Sequence, residues 1–325
     1  MEITRRFVSG LGLATALLMA VPGIARAQDF PTKPVTMIVP YAPGGATDIF
    51  ARTLTAFMER KWGQPVIVEN RPGGNFKIAV SALEGANPDG YTIGTIAPAM
   101  SVAYMNMGEE LKIGETIAPV AQFWVSNAAY VVNTDVIPVS TMDELIAYMK
   151  ANPGTAYGTL SAGSINGMIA AHYFKKQGIE AEAIAYQGAA PVAQALLAGE
   201  VGLITGADMQ AVTTLPRDNP NIVVLGTTAE GQAESAPDVR PVSELGYPEL
   251  AFTTFGGLAT TAGTPDDVKA ILAETVREAV ADPEFIAGLA RLGATATFAD
   301  TATLEAAFAE SDARLSTIIS ELAAQ

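Results

Sequence analysis

The chain has 325 residues, 49% of them hydrophobic and only 16% charged, which is enough apolar material for two packed domains and excludes a disordered polymer. A net charge of −15 argues against nucleic acid and anionic lipid as partners, and any bound anion must be held by local positive potential, from helix N-termini or a placed cation. Cysteine is absent, which removes disulfide staples, thiol catalysis and thiolate metal sites.

Arg5 and Arg6 precede an apolar stretch over residues 7–24 and then Ala25-Arg26-Ala27, the layout of a secretory signal whose cleavage leaves Gln28 first. Its uninterrupted apolar part, residues 11–21, is short against the roughly 20 residues of a membrane-spanning helix. The arginine pair fits general and twin-arginine export alike. The mature chain is therefore expected in the periplasm.

From residue 33, short β-rich runs alternate with helical segments: strands over 35–39, 66–68 and 92–96, helices over 48–62 and 78–85. This alternation predicts βαβ units and a largely parallel sheet. Ile49, Phe50, Leu54, Phe57, Met58 and Trp62 recur at helical spacing, so the first helix should pack on that sheet. A second cycle opens with Thr141 and Glu144 as a capping box, turns Met142, Leu145, Ile146 and Met149 inward, and continues through strand-like runs at 183–186, 201–205 and 222–225. In a third section Thr264 is placed to cap a helix beginning at Pro265, with Asp266 and Asp267 complementing its dipole. From there the pattern reads as helical to Gln325, and these helices are expected to return and cover the first sheet.

Two strand-to-helix junctions are built from small residues. Pro40-Tyr41-Ala42-Pro43-Gly44-Gly45-Ala46-Thr47-Asp48 precedes the first amphipathic helix, and Ser161-Ala162-Gly163-Ser164-Ile165-Asn166-Gly167 precedes a helical run over 168–176. Glycines allow backbone to approach a ligand, and the free N–H groups of the following helix favour an anion. One such junction is an ordinary tight turn as readily as a site; two in separate α/β units suggest a cleft with an anion hole on each wall.

Enzymatic readings lack parts. His172 is the only histidine, placed on a helix where packing or solvation accounts for it, and the pairs Glu109-Glu110 and Asp266-Asp267 read as exposed or helix-start acids, so no metal site is expected. Gly163-Ser164-Ile165-Asn166-Gly167 lacks the spacing of a serine elbow. No G-x-G-x-x-G and no P-loop offer a seat to a nucleotide cofactor, and none is expected.

Longer motifs carry a resemblance. Val39-Pro40-Tyr41-Ala42-Pro43-Gly44-Gly45-Ala46-Thr47-Asp48, Val68-Glu69-Asn70-Arg71-Pro72-Gly73-Gly74-Asn75, Pro88-Asp89-Gly90-Tyr91-Thr92, Tyr186-Gln187-Gly188-Ala189-Ala190-Pro191 and Leu197-Ala198-Gly199-Glu200-Val201 resemble the substrate-binding proteins of tripartite tricarboxylate transporters, the Bug family. The match runs from Phe30 to the C-terminus. It implies an α/β, two-lobed type II periplasmic binding fold with the ligand in the interlobe cleft, no enzymatic activity, a monomer, and the membrane subunits of a secondary transporter as partner. The lobes would comprise residues 28–126 with 254–325, and 127–253, with crossings near 124–130 and 252–256.

The resemblance further implies that Tyr41, Ala42, Pro43, Gly44, Gly45, Ala46, Thr47 and Asp48 receive one ligand carboxylate through backbone groups and ordered water. Ser161, Ala162, Gly163, Ser164 and Asn166 would line the opposite wall, and Asn75, Phe76, Lys77, Met168, Tyr186 and Asp208 complete the expected set. This chain departs from the family pattern at Ala46, where glycine or serine is common, at Asn75-Phe76-Lys77, where a small sequence is common, and at Met168, where histidine is frequent. The ligand stays open among dicarboxylates, tricarboxylates and aromatic carboxylates. Phe76 and Met168 either form an apolar wall suited to an aromatic or branched carboxylate or belong to the core; Lys77 either reads the ligand's charge or is a solvated lysine at a helix start. Two other roles share the scaffold, presentation of the ligand to a signalling partner and, at lower weight, hydrolysis.

Overall fold

Along the chain, β1 (Val35–Val39) leads into α1 (Ala46–Trp62), β2 (Val66–Asn70) into α2 (Lys77–Glu84), and β3 (Thr92–Ile96) into α3 (Pro98–Met105) and then β4 (Ile117–Ser126). A second series follows: β5 (Ala128–Asn133), α4 (Met142–Ala151), β6 (Thr155–Thr159), α5 (Ile165–Lys176), β7 (Ala181–Ala185), α6 (Ala189–Ala198), β8 (Leu203–Asp208) and β9 (Ile222–Thr227). The chain ends with β10 (Thr254–Thr261), α7 (Asp266–Ala279), α8 (Pro283–Ala290), β11 (Ala294–Ala299) and α9 (Thr301–Ala323). This computed structural model describes residues 30–209, 215–216, 219–233 and 236–324; the expected export signal lies outside them.

The strands form two sheets, ordered β11-β4-β10-β3-β1-β2 and β7-β6-β8-β5-β9. In the first, β1 lies parallel between β2 and β3, and β10 inserts antiparallel between β3 and β4. Val35, Met37 and Val39 are fully buried, as a central parallel strand covered on both faces requires. Phe50, Leu54 and Met58 of the periodic face read from the sequence enter the same core with Ala51, and Phe57 and Trp62 pack partly buried against it, while Ile49 stays outside. In the second sheet β6 runs parallel to β7 and β8, while β5 is antiparallel to β8 and β9. Thr141 caps α4 through Glu144 N, and the Glu144 carboxylate returns to Ser140 N, one residue before the cap, at 2.7 Å, a shifted form of the capping box read from the sequence.

Only Asn127 separates β4 from β5, so the first crossing between the sheets is a single residue. Its side-chain Oδ1 accepts a hydrogen bond from Thr253 Oγ1 at 2.8 Å, which ties the first crossing to the returning one.

Two expectations fail in the third section. The chain is not helical from Pro265 onward: Gly293, at φ +72°, follows the end of α8, and Ala294-Thr295-Ala296-Thr297-Phe298-Ala299 then runs antiparallel along β4 as β11. Its alanines lower strand propensity, while the Thr/Ala alternation, a weak period of two, fits a sheet edge. Thr264 does not cap α7 either; its hydroxyl donates to Thr261 O and Pro265 occupies the cap position.

The last helix covers more than the first sheet. Phe308 meets Phe255 with ring centroids 5.1 Å apart, and Leu304 packs against Gly257, both on the first sheet. Farther along, Leu315 and Ile318 join Tyr130, Ile169 and Tyr173 in the core of the second. At 1.5 Å per residue its 23 residues span about 35 Å, enough to root one end in each half.

Candidate functional site

Strand directions decide which loops can meet. Ser126 at the end of β4 pairs with Thr254 at the start of β10, and Ala128 at the start of β5 pairs with Asp208 at the end of β8. In the first sheet β1, β2, β3 and β4 all point their carboxyl ends toward the crossing; in the second β6, β7, β8 and β9 do the same. The turns that follow those strands therefore line two facing edges. Open α/β sheets place ligands just outside such carboxyl ends.

On the first edge, Ala42, Pro43, Gly44, Gly45 and Ala46 are exposed, Tyr41 and Thr47 half-buried, and Asp48 buried at 2% exposure. Asp48 organises the turn. One carboxylate oxygen accepts Gly44 N–H at 2.8 Å and Arg52 Nε at 3.0 Å; the other accepts Asn70 Nδ2 at 2.8 Å. The same Asn70 amide donates to Tyr41 O at 3.0 Å, and Asn70 Oδ1 accepts Arg52 Nη2 at 2.9 Å. Burial pushes the Asp48 carboxyl up, but the hydrogen bonds from Arg52, Gly44 and Asn70 and the Arg52 charge outweigh it and hold the group below the ordinary aspartate value. Asn70 and Arg52 were not among the expected site residues, because their parts depend on β1 and β2 lying side by side. Asn70 inside the motif that follows β2 was the available signal.

The turn after β2 joins this edge. Asn75 is exposed, and the Phe76 ring meets the Tyr41 ring edge-on, centroids 5.1 Å apart at 65°. Burial raises the Tyr41 phenol to about 12. Lys77 begins α2 with its ammonium 2.5 Å from Glu109 Oε1, so an acid of this chain already supplies the anion that a cation at a helix start calls for.

On the second edge, Ser161, Ala162 and Gly163 are exposed, and Ser164 caps α5 by accepting Gly167 N–H at 3.3 Å. Asn166 lies over Gly206, whose φ of +87° and register shift form a bulge in β8; a Cβ there would stand 2.7 Å from Asn166 Cβ. Tyr186 follows β7, and Tyr186 N and Gly188 N bond to Thr159 O and Leu160 O, fastening that turn to the one after β6. Asp208 ends β8 beside the crossing. Met168 is partly buried and packs against the second-sheet core. The expected residues thus gather in two groups, one on each edge, and among the described residues no hydrogen bond, ion pair or ring contact links the Tyr41 turn to the Ser161 turn.

The helix starts at these edges share an electrostatic property. α1, α2, α3 and α6 open on Gly45, Phe76, Ala97 and Gly188, none of which supplies a side-chain cap. Their first-turn N–H groups concentrate positive potential there in a chain of strongly negative net charge, in part offset in α1 by Asp48 in the first turn and in α2 by the bond from Lys77 N to Gly74 O. Elsewhere chemistry is sparse. His172 Nε2 lies 2.6 Å from Glu321 Oε2, and among the described residues no group of three His, Asp or Glu side chains could hold a metal ion. A cavity of about 210 Å³ under α9, with Gln122, Ser311 and Arg314 in its wall, includes none of the expected site residues.

Two α/β lobes joined by paired crossings, with strand carboxyl ends facing each other, define a two-lobed solute-binding protein. A family model described as the tripartite tricarboxylate transporter family receptor matches residues 50–324, and the chain belongs to that family. Protein BugT of Bordetella pertussis is 30% identical over 304 residues, covering 92% of this chain and 91% of the relative. The crystal structure of a TctC solute-binding protein from Polaromonas is similar over 90% of this chain and 99% of its own, with a TM-score of 0.78 at 26% identity. An R. palustris protein solved with adipate is similar over 89% and 97%, with a TM-score of 0.72 at 25% identity.

Proposed function

We propose that this protein captures a small carboxylate between its lobes in the periplasm and presents it to the membrane subunits of a secondary transporter. The observation that carries the reading is the set of uncapped helix starts at the facing edges, beside a turn braced by Asp48, Arg52 and Asn70. Backbone N–H groups at the bare starts receive the carboxylate, at Tyr41 to Asp48 on one wall and at Gly188 on the other, where Ser161 to Asn166 line the ligand beside a start that Ser164 already caps. The lobes divide at residues 126/127 and 253/254, where the chain leaves and rejoins the first sheet. The adipate-bound relative supports a carboxylate ligand, the family supports the transport role, and the Arg5-Arg6, apolar and Ala25-Arg26-Ala27 order supports export.

A thermal-shift screen over carboxylates, amines and neutral sugars tests the ligand class. A carboxylate at about 100 times its dissociation constant stabilises the fold by roughly 2.7 kcal/mol. A screen in which only amines or sugars raise the transition contradicts the reading.

A further inference from the structure

Gly73, Gly74, Asn75 and Phe76 have φ of +107°, +58°, +50° and +71°, four consecutive left-handed residues at the start of α2. Glycine accepts this backbone freely and asparagine tolerates it; a phenylalanine there is strained. Strain of this kind persists only where surrounding structure enforces it, and it clusters at ligand sites. Here it carries the Phe76 ring onto Tyr41, so that an aromatic pair bridges the turns after β1 and β2 at the facing edge.

The rest of that wall offers little with which to read a ligand's body. Residues 42–46 are small or proline and exposed, Asp48 is enclosed by its own donors, and the Lys77 ammonium is taken by Glu109. The backbone N–H groups suit one carboxylate, and beside them stand two half-buried rings, each resting in part on its core, with no uncommitted side-chain cation among the described residues of this wall for a second or third charge. We propose that Tyr41 and Phe76 are the specificity wall of this site, selecting carboxylates with a flat aromatic body over short, multiply charged ones. The inference rests on the carboxylate-binding reading above and adds the ligand's shape to it.

Calorimetric titration of the full mature chain with benzoate, phenylacetate, succinate and citrate tests it, with Phe76→Leu and Phe76→Gly as variants. Glycine suits a φ of +71°, so Phe76→Gly is expected to fold. The wild type should bind the better aromatic acid at least tenfold more tightly than succinate or citrate. Phe76→Gly should lose at least tenfold toward that acid while changing toward succinate by less than threefold, and Phe76→Leu should fall between. A ring that merely plugs its loop would change melting and leave the ratio of aromatic to aliphatic affinity where it was; that result overturns the wall, as does a wild type that prefers succinate or citrate. Failure of every carboxylate in the wider screen overturns the binding reading and the wall together, whereas binding without aromatic preference overturns the wall alone.

Discussion

At the outer edges of the two sheets, α4 and α9 begin on Thr141 and Asp300, whose side chains accept first-turn N–H groups, while α7 there begins on Pro265 without such a cap; at the facing edges α1, α2, α3 and α6 begin on residues that supply no such acceptor. α4 and α9 are completed by the protein itself, and the four starts at the facing edges are open to something else. A side-chain cap is worth about 1 kcal/mol. Its absence at three starts on one edge and one on the other gives up some stability, only a few tenths of a kcal/mol where the cap is glycine, where a carboxylate could serve as the cap instead. α5 stands between the two kinds, since it faces the crossing yet carries its own cap in Ser164, so the second wall is less open to an anion than the first.

The largest test of this contrast is Asp48→Ala. It removes a buried carboxylate that holds Gly44, Arg52 and Asn70, leaving polar groups unpaired, and should destabilise the fold by about 2–4 kcal/mol in urea unfolding. It should also weaken carboxylate binding, because the turn loses its brace. Full affinity in a destabilised Asp48→Ala protein would mean that the turn's geometry is irrelevant to the ligand.

Two acids shifted in opposite directions sharpen the comparison through pH. The folded value of Asp48 is lowered, so its stabilisation is fully present above the ordinary aspartate value and is lost as acid passes through the folded one. Asp312, on α9, is pushed up to about 6 by burial, which outweighs the neighbouring Ser101 hydroxyl, and by the Glu110 charge. A raised carboxyl binds its proton more tightly in the fold, so Asp312 costs stability at pH 7 and the cost fades between about pH 6 and pH 4. Asp312→Asn should therefore raise stability by roughly 1–2 kcal/mol at pH 7 and by little at pH 4, as read from melts at the two pH values. An equal gain at both would assign the effect to packing.

A smaller effect is expected at the completed edge. Thr141→Ala should cost about 1 kcal/mol through loss of the α4 cap and leave carboxylate affinity unchanged by titration. Altered affinity would show that the outer edge takes part in binding.

Much of this architecture was legible in the residues. Val35 to Val39 and the face of α1 are apolar at the period of their structures, and the two small-residue junctions mark the turns that the topology sets on facing edges. What stayed hidden depended on distant partners or on backbone angles. β11 is made of alanine and threonine and owes its pairing to β4, so its pattern alone did not separate it from the helices on either side. Asn70 and Arg52 become part of the first turn only when β2 lies beside β1. The conformation of Phe76 follows from two preceding glycines and a neighbouring ring, and residue type alone does not report φ.

The central claim, that the bare helix starts at the facing edge await an anion, is tested most directly by giving one of them its own. Gly45 caps α1 at φ −74° and ψ 163°, angles open to any residue, and a Cβ there meets nothing nearer than Ala42 O at 3.7 Å. Gly45→Asp should therefore fold, gain a few tenths of a kcal/mol in ligand-free stability as a proper cap, and lose at least tenfold in affinity for the best carboxylate by calorimetric titration. Unchanged affinity in a Gly45→Asp protein of normal stability would contradict the account, because a ligand carboxylate and a fixed one would then not be competing for the same N–H groups.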